Sequence, residues 1–246
     1  MRLDQQLVDL GLAESREKAQ RAILAGLVRI NGHVADKPGR KIRTDDRLEM
    51  ERGERYVSRG GFKLEAALTG FRLDVTGLRA LDVGASTGGF TDCLLQHGAK
   101  SVAAVDVGRG QLAWKLRQDP RVQVLEETNA RTLSALRFGD GFSPFDIAAI
   151  DCSFISLRLV LAPVSALIRA RGTIVALVKP QFEAGREEAD RGRGVISDPS
   201  IHTRVLAELR AFVEGLPGLQ WSGEIESPLI GPAGNKEFLA LLEKTS

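Results

Sequence analysis

A glycine-rich stretch at residues 81–91 contains the residues with the clearest chemical potential. It reads Leu-Asp-Val-Gly-Ala-Ser-Thr-Gly-Gly-Phe-Thr, so an apolar segment runs into Gly84 and then into Gly88 and Gly89. Glycines at the end of a strand let backbone N–H groups approach a bound ligand closely. Asp106 ends the next apolar segment about 20 residues later, the spacing at which an acid reaches a ribose diol. This pattern predicts a site for a cofactor that contains a ribose: NAD, FAD or S-adenosylmethionine.

The glycine spacing discriminates among these cofactors. The nicotinamide fingerprint Gly-x-Gly-x-x-Gly needs a glycine at position 86, where this chain has Ser86. A dehydrogenase is therefore less well supported. A tight turn without any ligand is the alternative for a glycine cluster of this kind.

Lys179 closes a later apolar segment, in Leu-Val-Lys-Pro-Gln-Phe at residues 177–182. Ligands of parallel sheets bind at the carboxyl ends of the strands, which is where such a lysine would lie. A ribose hydroxyl must lose a proton as it attacks a sulfonium methyl group, and a lysine held by carboxylates can accept or assist that proton. Lys179 is a candidate for this chemistry, with an ordinary strand end as the alternative.

If the cofactor is S-adenosylmethionine, methyl acceptors other than a ribose hydroxyl fit the sequence less well. Residues 151–154 read Asp-Cys-Ser-Phe and lack both prolines of the Asx-Pro-Pro-aromatic turn that amino-methyltransferases of bases use. Methylation of cytosine C5 needs a thiolate, so Cys152 would require a lowered pKa. No Pro-Cys turn surrounds Cys152, and a packing role is favoured for it.

Repeated strand and helix patterns would position these residues. Apolar segments of strand character alternate with helical patterns, which is typical of an α/β fold with a mostly parallel sheet and helices on both faces. Two late strands at 220–226 and 237–242 complete a sheet of seven. The other predicted strands are 79–84, 101–106, 122–125, 145–151 and 173–178, and the predicted helices lie near 90–97, 110–118, 156–170 and 200–214.

Residues 1–50 have a different pattern, which predicts a small α-rich module that ends in short strands. A stripe of leucines predicts a first helix that Gly11 ends. Ser15 is the expected N-cap of a second helix over 16–25. The dipeptide at 31–32, Asn-Gly, then predicts a hairpin.

A charged, glycine-containing segment at residues 51–62 is interpreted as a linker, which leaves residues 63–246 for the larger domain. Positive charge is concentrated before it: residues 1–60 hold 13 Lys and Arg against 10 Asp and Glu, while the whole chain has 34 against 32. Such a surface suits a nucleic-acid backbone, because each cation can neutralise one phosphate. On charge alone, an ordinary solvated surface is equally good.

Composition excludes several classes of protein. Hydrophobic residues make up 43% and charged residues 27% of the 246, as in folded globular domains. The apolar stretches are shorter than the roughly 18 residues of a membrane span, and the first residues do not resemble a signal peptide, so a cytoplasmic protein is expected. Two cysteines and three dispersed histidines predict neither a disulfide framework nor a metal site.

The first 50 residues resemble the S4 RNA-binding domain of ribosomal proteins and RNA-modifying enzymes. The resemblance rests on Arg-Leu-Asp at 2–4, on Gly-Leu-Ala-Glu-Ser-Arg-Glu-Lys-Ala at 11–19, and on Ile-x-x-Gly-x-Val-x-Ile-Asn-Gly at 23–32. It implies that this module binds RNA. The candidate RNA contacts are Arg2, Arg16, Lys18, Arg21, Arg29 and Lys41, with Arg59 from the linker.

The glycine-rich stretch resembles a methyltransferase motif, especially the heat-shock 2′-O-ribose type with its Pro-Gly-Gly-Trp loop. Here Thr87 replaces the proline and Phe90 the tryptophan. The resemblance implies S-adenosylmethionine as cofactor, with Asn129 near the adenine and Asp151 near the methionine part. The implied cofactor residues are Asp82, Gly84, Ser86, Thr87, Gly88, Gly89, Phe90, Asp106, Asn129 and Asp151.

Four residues complete this resemblance. In order and local context, Lys63, Asp151, Lys179 and Glu237 resemble the Lys-Asp-Lys-Glu tetrad of 2′-O-ribose methyltransferases. The resemblance implies that Lys179 acts as base or electrostatic activator and that Asp151 and Glu237 hold its ammonium group. It implies that Lys63 positions the ribose or its phosphate, and that no metal takes part. With the S4-like module, the chain resembles the TlyA family of rRNA cytidine 2′-O-methyltransferases, often labelled haemolysins.

The predicted function is therefore methylation of a ribose 2′-hydroxyl in ribosomal RNA, with ribosomal subunits as partners. A non-catalytic RNA-binding or ribosome-assembly factor is the main alternative. A haemolysin would need a membrane-inserting segment, and an S4-bearing pseudouridine synthase would not need the cofactor loop. A charged stretch at 183–194 is interpreted either as a loop that closes over RNA or as a solvated connection.

Overall fold

The chain folds as two units, Met1–Arg55 and Tyr56–Ser246, in a computed structural model. The structure describes residues 1–43, 45–50, 55–231 and 233–245. The two units have separate cores.

The first unit packs two helices on a small antiparallel sheet. As predicted, Ser15 caps the second helix, its hydroxyl accepting a hydrogen bond from the backbone N–H of Lys18 at 3.3 Å. Asn31 and Gly32 have φ values of 51° and 81°, which suit a two-residue hairpin turn. The elements are α1 (Leu3–Asp9), α2 (Arg16–Leu24), β1 (Val28–Ile30), β2 (His33–Val34) and β3 (Leu48–Met50), with sheet order β2-β1-β3.

The second unit is built on a seven-stranded sheet, which confirms the predicted α/β fold. Its order is β6-β5-β4-β7-β8-β10-β9. The first five strands in this order are parallel, and β10 runs antiparallel to both β8 and β9. The strands are β4 (Arg79–Val83), β5 (Ser101–Val105), β6 (Val122–Leu125), β7 (Phe145–Ile150), β8 (Ile168–Val178), β9 (Leu219–Glu226) and β10 (Phe238–Lys244).

Helices cover both faces of this sheet. One apolar cluster joins the sheet to α3 and α4, and another joins it to α6 and α9. The chain runs from β4 outward to β6 and then returns to place β7 beside β4, so the order of the strands reverses between β4 and β7. Open parallel sheets bind ligands in the crevice at such a reversal. The helices are α3 (Gly60–Gly70), α4 (Gly89–Gln96), α5 (Trp114–Arg117), α6 (Leu161–Ser165), α7 (Pro180–Glu183), α8 (Arg186–Arg191) and α9 (Pro199–Glu214).

The predicted linker at 51–62 is wrong in its second half. Residues 51–54 lie outside the described part of the chain, but Tyr56 is buried in the second unit and α3 already begins at Gly60. The Tyr56 ring packs directly on Gly61, where any side chain would overlap it. Gly61, one of the glycines that suggested a linker, is therefore a packing residue.

The predicted helix near 156–170 is also wrong in extent. Only Leu161–Ser165 forms an α-helix, and β8 already begins at Ile168, which pairs with Phe145. The apolar run continues through both elements, so hydrophobicity alone did not separate them. The helix expected near 110–118 is limited to Trp114–Arg117, and the charged stretch at 183–194 contains α8.

Asp82 is a fully buried carboxyl near the carboxyl end of β4. The hydroxyl of Thr91 donates to its Oδ2 at 2.6 Å, and its Oδ1 has no hydrogen-bond partner among the described residues. Burial, with a smaller contribution from the nearby Asp151, raises the pKa of Asp82 to about 7. The folded chain thus holds a proton that the unfolded chain releases at a lower pH.

We predict that this proton makes the second unit less stable as pH rises. The pKa of Asp82 is higher in the folded chain, so its contribution favours folding at low pH and is lost as pH rises toward 7. The loss between pH 5 and pH 8 is on the order of 3 kcal/mol. The free energy of unfolding of Asp82→Asn, relative to that of wild type, should rise by this amount from pH 5 to pH 8. Urea unfolding followed by tryptophan fluorescence measures it. An equal difference between variant and wild type at both pH values would contradict the prediction.

Candidate active site

A cavity of about 490 Å³ opens at the carboxyl ends of β4, β5 and β7, where the strand order reverses. Gly84 forms part of its floor with a φ of 85°. A Cβ atom there would lie 2.5 Å from the carbonyl oxygen of Asp151, so glycine is what lets the ends of β4 and β7 meet. Five of the predicted cofactor residues line the cavity: Gly84, Ser86, Asp106, Asn129 and Asp151.

The other predicted cofactor residues do not line the cavity. Asp82 is buried beneath the loop, and Phe90 is part of the apolar core. Gly88, with φ of 95°, is packed against Leu116 so closely that a side chain would overlap it. Gly89 packs in the same way against the start of α3. The carbonyl of Thr87 accepts a hydrogen bond from the backbone N–H of Ala113, the residue before α5. These residues shape the glycine loop without lining the cavity.

Asp106 organises the rim of the cavity. Its Oδ2 accepts a hydrogen bond from the backbone N–H of Ser86 at 2.8 Å, and its Oδ1 accepts from that of Gly108 at 2.7 Å. Each carboxylate oxygen has a second lone pair, so Asp106 can still accept from a ribose hydroxyl. Its ribose contact stays a prediction.

The four tetrad residues meet at one edge of the sheet. Asp151 follows β7, Lys179 follows β8, and Glu237 precedes β10. Because β8 lies between β7 and β10, and β10 runs antiparallel to β8, all three side chains belong to the same end of neighbouring strands. Lys63 reaches this edge from α3.

The tetrad forms two separate lysine–carboxylate pairs. Lys63 is hydrogen-bonded to Glu237, and both side chains are at least nine-tenths buried. The Nζ atom of Lys179 lies 2.6 Å from Oδ1 of Asp151, in an ion pair rather than a well-directed hydrogen bond. The expectation was that both acids hold Lys179, but Oε2 of Glu237 is bound by Lys63 instead.

Sequence reasoning missed three residues around Lys179. The hydroxyl of Ser153 accepts a hydrogen bond from Lys179 at 2.8 Å. Phe154 is 91% exposed, has a φ of 63° and contacts the ring of Phe182 with centroids 5.1 Å apart. The signal available in the sequence was an aromatic residue close to the end of a predicted strand.

Glu183 joins the segment after β7 to the segment after β8. Its carboxylate accepts hydrogen bonds from the hydroxyl of Ser156 at 2.6 Å and from the backbone N–H of Leu157 at 2.7 Å. Burial raises the pKa of Glu183 above its ordinary value. The loop that bears Asp151 is thereby tied to the loop that bears Lys179.

The thiol of Cys152 lines the cavity but is not activated. Burial, and then the charge of Asp151, raises the pKa of Cys152 to about 12. A neutral thiol is not a nucleophile. The packing interpretation of Cys152 therefore agrees with its surroundings.

The predicted RNA contacts of the first unit differ in how they are held. Arg2 and Arg16 both bind the buried carboxylate of Asp4. Arg29 lies near the hairpin turn, its Nη1 3.5 Å from the Gly32 carbonyl, and Lys41 is exposed beside Arg2. Lys18 and Arg21 instead form ion pairs with exposed acids four residues earlier, Glu14 and Glu17. Arg59, in the second unit, donates to the carbonyl of Ile230 at 3.0 Å.

Comparison with known proteins gives a family match for each of the two units. The model of the FtsJ-like methyltransferase family matches residues 56–244, and that of the S4 domain matches residues 1–48. The chain belongs to the FtsJ-like methyltransferase family. It is therefore an S4-bearing methyltransferase, as the resemblance of its motifs implied.

Individual relatives match nearly the whole length of this methyltransferase. The 16S/23S rRNA (cytidine-2′-O)-methyltransferase TlyA of Mycobacterium tuberculosis is 46% identical, over 98% of this chain and 89% of the relative. Hemolysin A of Brachyspira hyodysenteriae is 40% identical, over 98% of each chain. A solved structure of a candidate hemolysin from Streptococcus thermophilus is 49% identical and has a TM-score of 0.74, covering 100% of this chain and 89% of that one.

The described residues contain neither a membrane span nor a metal cluster. Among them, no helix is both long and apolar enough to cross a membrane. In the same part of the chain, no group of three or more His, Cys, Asp or Glu side chains could hold a metal ion.

We predict that Glu183→Ala destabilises the second unit by about 2 kcal/mol, because it leaves the Leu157 N–H and the Ser156 hydroxyl without their acceptor. Glu183→Gln should lower the free energy of unfolding much less, because its amide oxygen can accept from the Leu157 N–H and its NH₂ group can donate to the Ser156 hydroxyl. Urea unfolding of both variants measures this. If the glutamine variant is as unstable as the alanine variant, the two hydrogen bonds are not the reason.

Proposed function

We propose that the second unit transfers the methyl group of S-adenosylmethionine to a ribose 2′-hydroxyl of ribosomal RNA, at a cytidine as in the TlyA relative. The observation that carries this proposal is the Lys179–Asp151 pair, in which Asp151 lines the cavity. A second buried pair, Lys63–Glu237, lies at the same edge of the sheet. Action on ribosomal RNA implies a cytoplasmic location.

The residues around the cavity fit the cofactor. Gly84 lines the cavity without a side chain, and Asp106 offers carboxylate oxygens at the position expected for a ribose diol. Asn129 and Asp151 both belong to the lining, where they would bind the adenine and the methionine part. Bound there, S-adenosylmethionine supplies a methyl group on a positively charged sulfur, which is already an activated leaving group.

Lys179 would act on the proton of the 2′-hydroxyl. Asp151 and Ser153 both bind its Nζ atom, so the amine is held at one point of the rim. From there it can accept the proton or stabilise the negative charge that develops on the oxygen. Holding the hydroxyl in line with the methyl group supplies much of the remaining rate enhancement. The Lys63–Glu237 pair would position the ribose or its phosphate.

RNA would be bound by both units. The S4 domain provides arginine and lysine side chains for phosphate contacts. Next to Lys179, the exposed ring of Phe154 would stack on a base of the RNA, since unpaired bases commonly stack on aromatic side chains.

We predict that Lys179→Ala lowers methyl transfer by at least about a hundredfold, the usual size of the effect of removing an acid–base group. The assay is transfer from radiolabelled S-adenosylmethionine to purified ribosomal subunits and to naked rRNA, with the product mapped by ribose-methylation-sensitive sequencing. Lys236→Ala is the matched control, because Lys236 is exposed and its ion pair is with Glu226 near the same edge.

Each outcome of this assay is informative. Label on a 2′-oxygen that disappears only in the Lys179 variant supports the reaction and the residue. Label on a base would overturn the ribose assignment while keeping the cofactor. No label on any RNA, with cofactor binding intact, would favour the non-catalytic alternative.

We also predict that Cys152→Ser keeps most of the methyl transfer, because a thiol with a pKa of about 12 cannot serve as nucleophile at neutral pH. The same radiolabel assay measures it. Complete loss of activity with normal cofactor binding would revive cytosine C5 as the acceptor.

A further inference from the structure

Asp4 is a carboxylate with no exposed surface in α1 of the first unit. Three side chains from separate parts of this unit donate to it: Arg2 before α1, and Arg16 and Gln20 in α2. The Arg2 contact is bidentate, with Nε and Nη2 each 3.0 Å from an oxygen, and Nε of Arg16 lies 2.9 Å from Oδ2. Asp4 is therefore the common anchor of two arginines.

These contacts keep Asp4 ionised. The hydrogen bonds from Arg2, and then those from Gln20 and Arg16, hold the pKa of Asp4 well below its usual range despite burial. A buried carboxylate without such partners would be strongly disfavoured. The negative charge is thus permanent at any pH at which RNA is intact.

The anchored arginines still face solvent. Their side chains are 50% and 52% exposed, and Asp4 occupies Nε and Nη2 of Arg2 but only Nε of Arg16. The other guanidinium N–H groups have no partner among the described residues. Lys18 and Arg21, by contrast, pair with acids that are themselves exposed, so nothing buried fixes their position.

We propose that Asp4 is a positioning residue for RNA binding, which holds Arg2 and Arg16 as a preassembled pair that binds phosphates of the RNA backbone. This inference rests on the proposed RNA substrate. A guanidinium fork held in place loses little side-chain entropy when it binds a phosphate in a bidentate manner. The anchor lowers the charge of the surface by one but fixes its geometry.

A role of Asp4 through its charge and a role through positioning predict opposite changes in RNA affinity for Asp4→Asn. Removal of a negative charge should strengthen RNA binding if only long-range attraction matters. If Asp4 acts by positioning, the variant should bind about tenfold more weakly, the loss expected for one charge-assisted hydrogen bond. Asp9→Asn is the matched control, since Asp9 lies on the same helix, is exposed and accepts a hydrogen bond from the Gln5 side chain.

The experiment is filter binding of the full chain to 16S and 23S rRNA at several KCl concentrations. We expect Asp4→Asn to bind RNA more weakly. The slope of its log binding constant against log salt concentration should be shallower by about one unit for each phosphate that is no longer bound. Asp9→Asn should bind RNA as tightly as wild type or more tightly. In a double-mutant cycle, Asp4→Asn should weaken RNA binding little further once Arg2 and Arg16 are both alanine. If Asp4 had only a structural role, Asp4→Asn would weaken RNA binding by the same factor in that background as in wild type. Equal binding by the Asp4 and Asp9 variants would overturn the proposal.

A second variant covers the case in which Asp4→Asn does not fold, as checked by circular dichroism. Arg16→Lys keeps the charge of the surface but replaces the fork that Asp4 holds. Weaker RNA binding by this variant supports positioning, and unchanged binding overturns it. If Arg2→Ala and Arg16→Ala weaken binding but Asp4→Asn does not, this inference alone fails. If wild type binds no rRNA, the proposed function fails with it.

Discussion

Two lysines are held in buried positions at the carboxyl edge of the central sheet, and each is neutralised by an acid from a neighbouring strand end. Lys63 with Glu237 and Lys179 with Asp151 therefore require β7 and β8 to end, and β10 to begin, at the same level. A lysine removed from water without a counter-charge costs several kcal/mol, so loss of any one strand end would leave a buried charge unpaired. The order of the strands and the position of α3 are linked through these two pairs.

The cavity at the carboxyl ends of β4, β5 and β7 depends on the same edge. The loop after β4 approaches the backbone of Asp151 so closely that only glycine fits at position 84. Asp151 thus has two contacts, its carbonyl against the glycine loop and its carboxylate against Lys179. Cofactor binding and activation of the hydroxyl would share one residue, which fits a reaction that requires the two reacting groups to be aligned.

Three buried or half-buried acids show how environment decides the state of one functional group. Asp4 receives two guanidinium groups and stays ionised, whereas Asp82 is hydrogen-bonded to neutral groups of Thr91 and holds its proton to about pH 7. Glu183 lies between them, with a raised pKa and two hydrogen-bond donors. The first organises a charged surface, the second is part of an apolar core, and the third joins two loops of the candidate active site.

Local features of the sequence were sufficient for the alternating α/β pattern, the seven strands, the capped helix at Ser15 and the hairpin at Asn31 and Gly32. Each of these depends on periodicity or on the backbone preferences of one or two residues, which act over short distances. The motifs also predicted the family, because a glycine loop, an acid on the next strand and four spaced residues were matched together. Composition misled at residues 56–62, where glycines that permit close packing look the same as glycines in a linker.

Only the tertiary structure decided which lysine pairs with which acid, which glycines line the cavity and which shape it from behind, and which arginines share a buried anchor. Lys63 and Glu237 are 174 positions apart, and two of the partners of Asp4, Arg16 and Gln20, lie 12 and 16 positions away from it. The reason is physical: periodicity and turn chemistry report the conformation of neighbouring residues, whereas the pairing of buried charges depends on which strand ends meet when the sheet and its helices have packed.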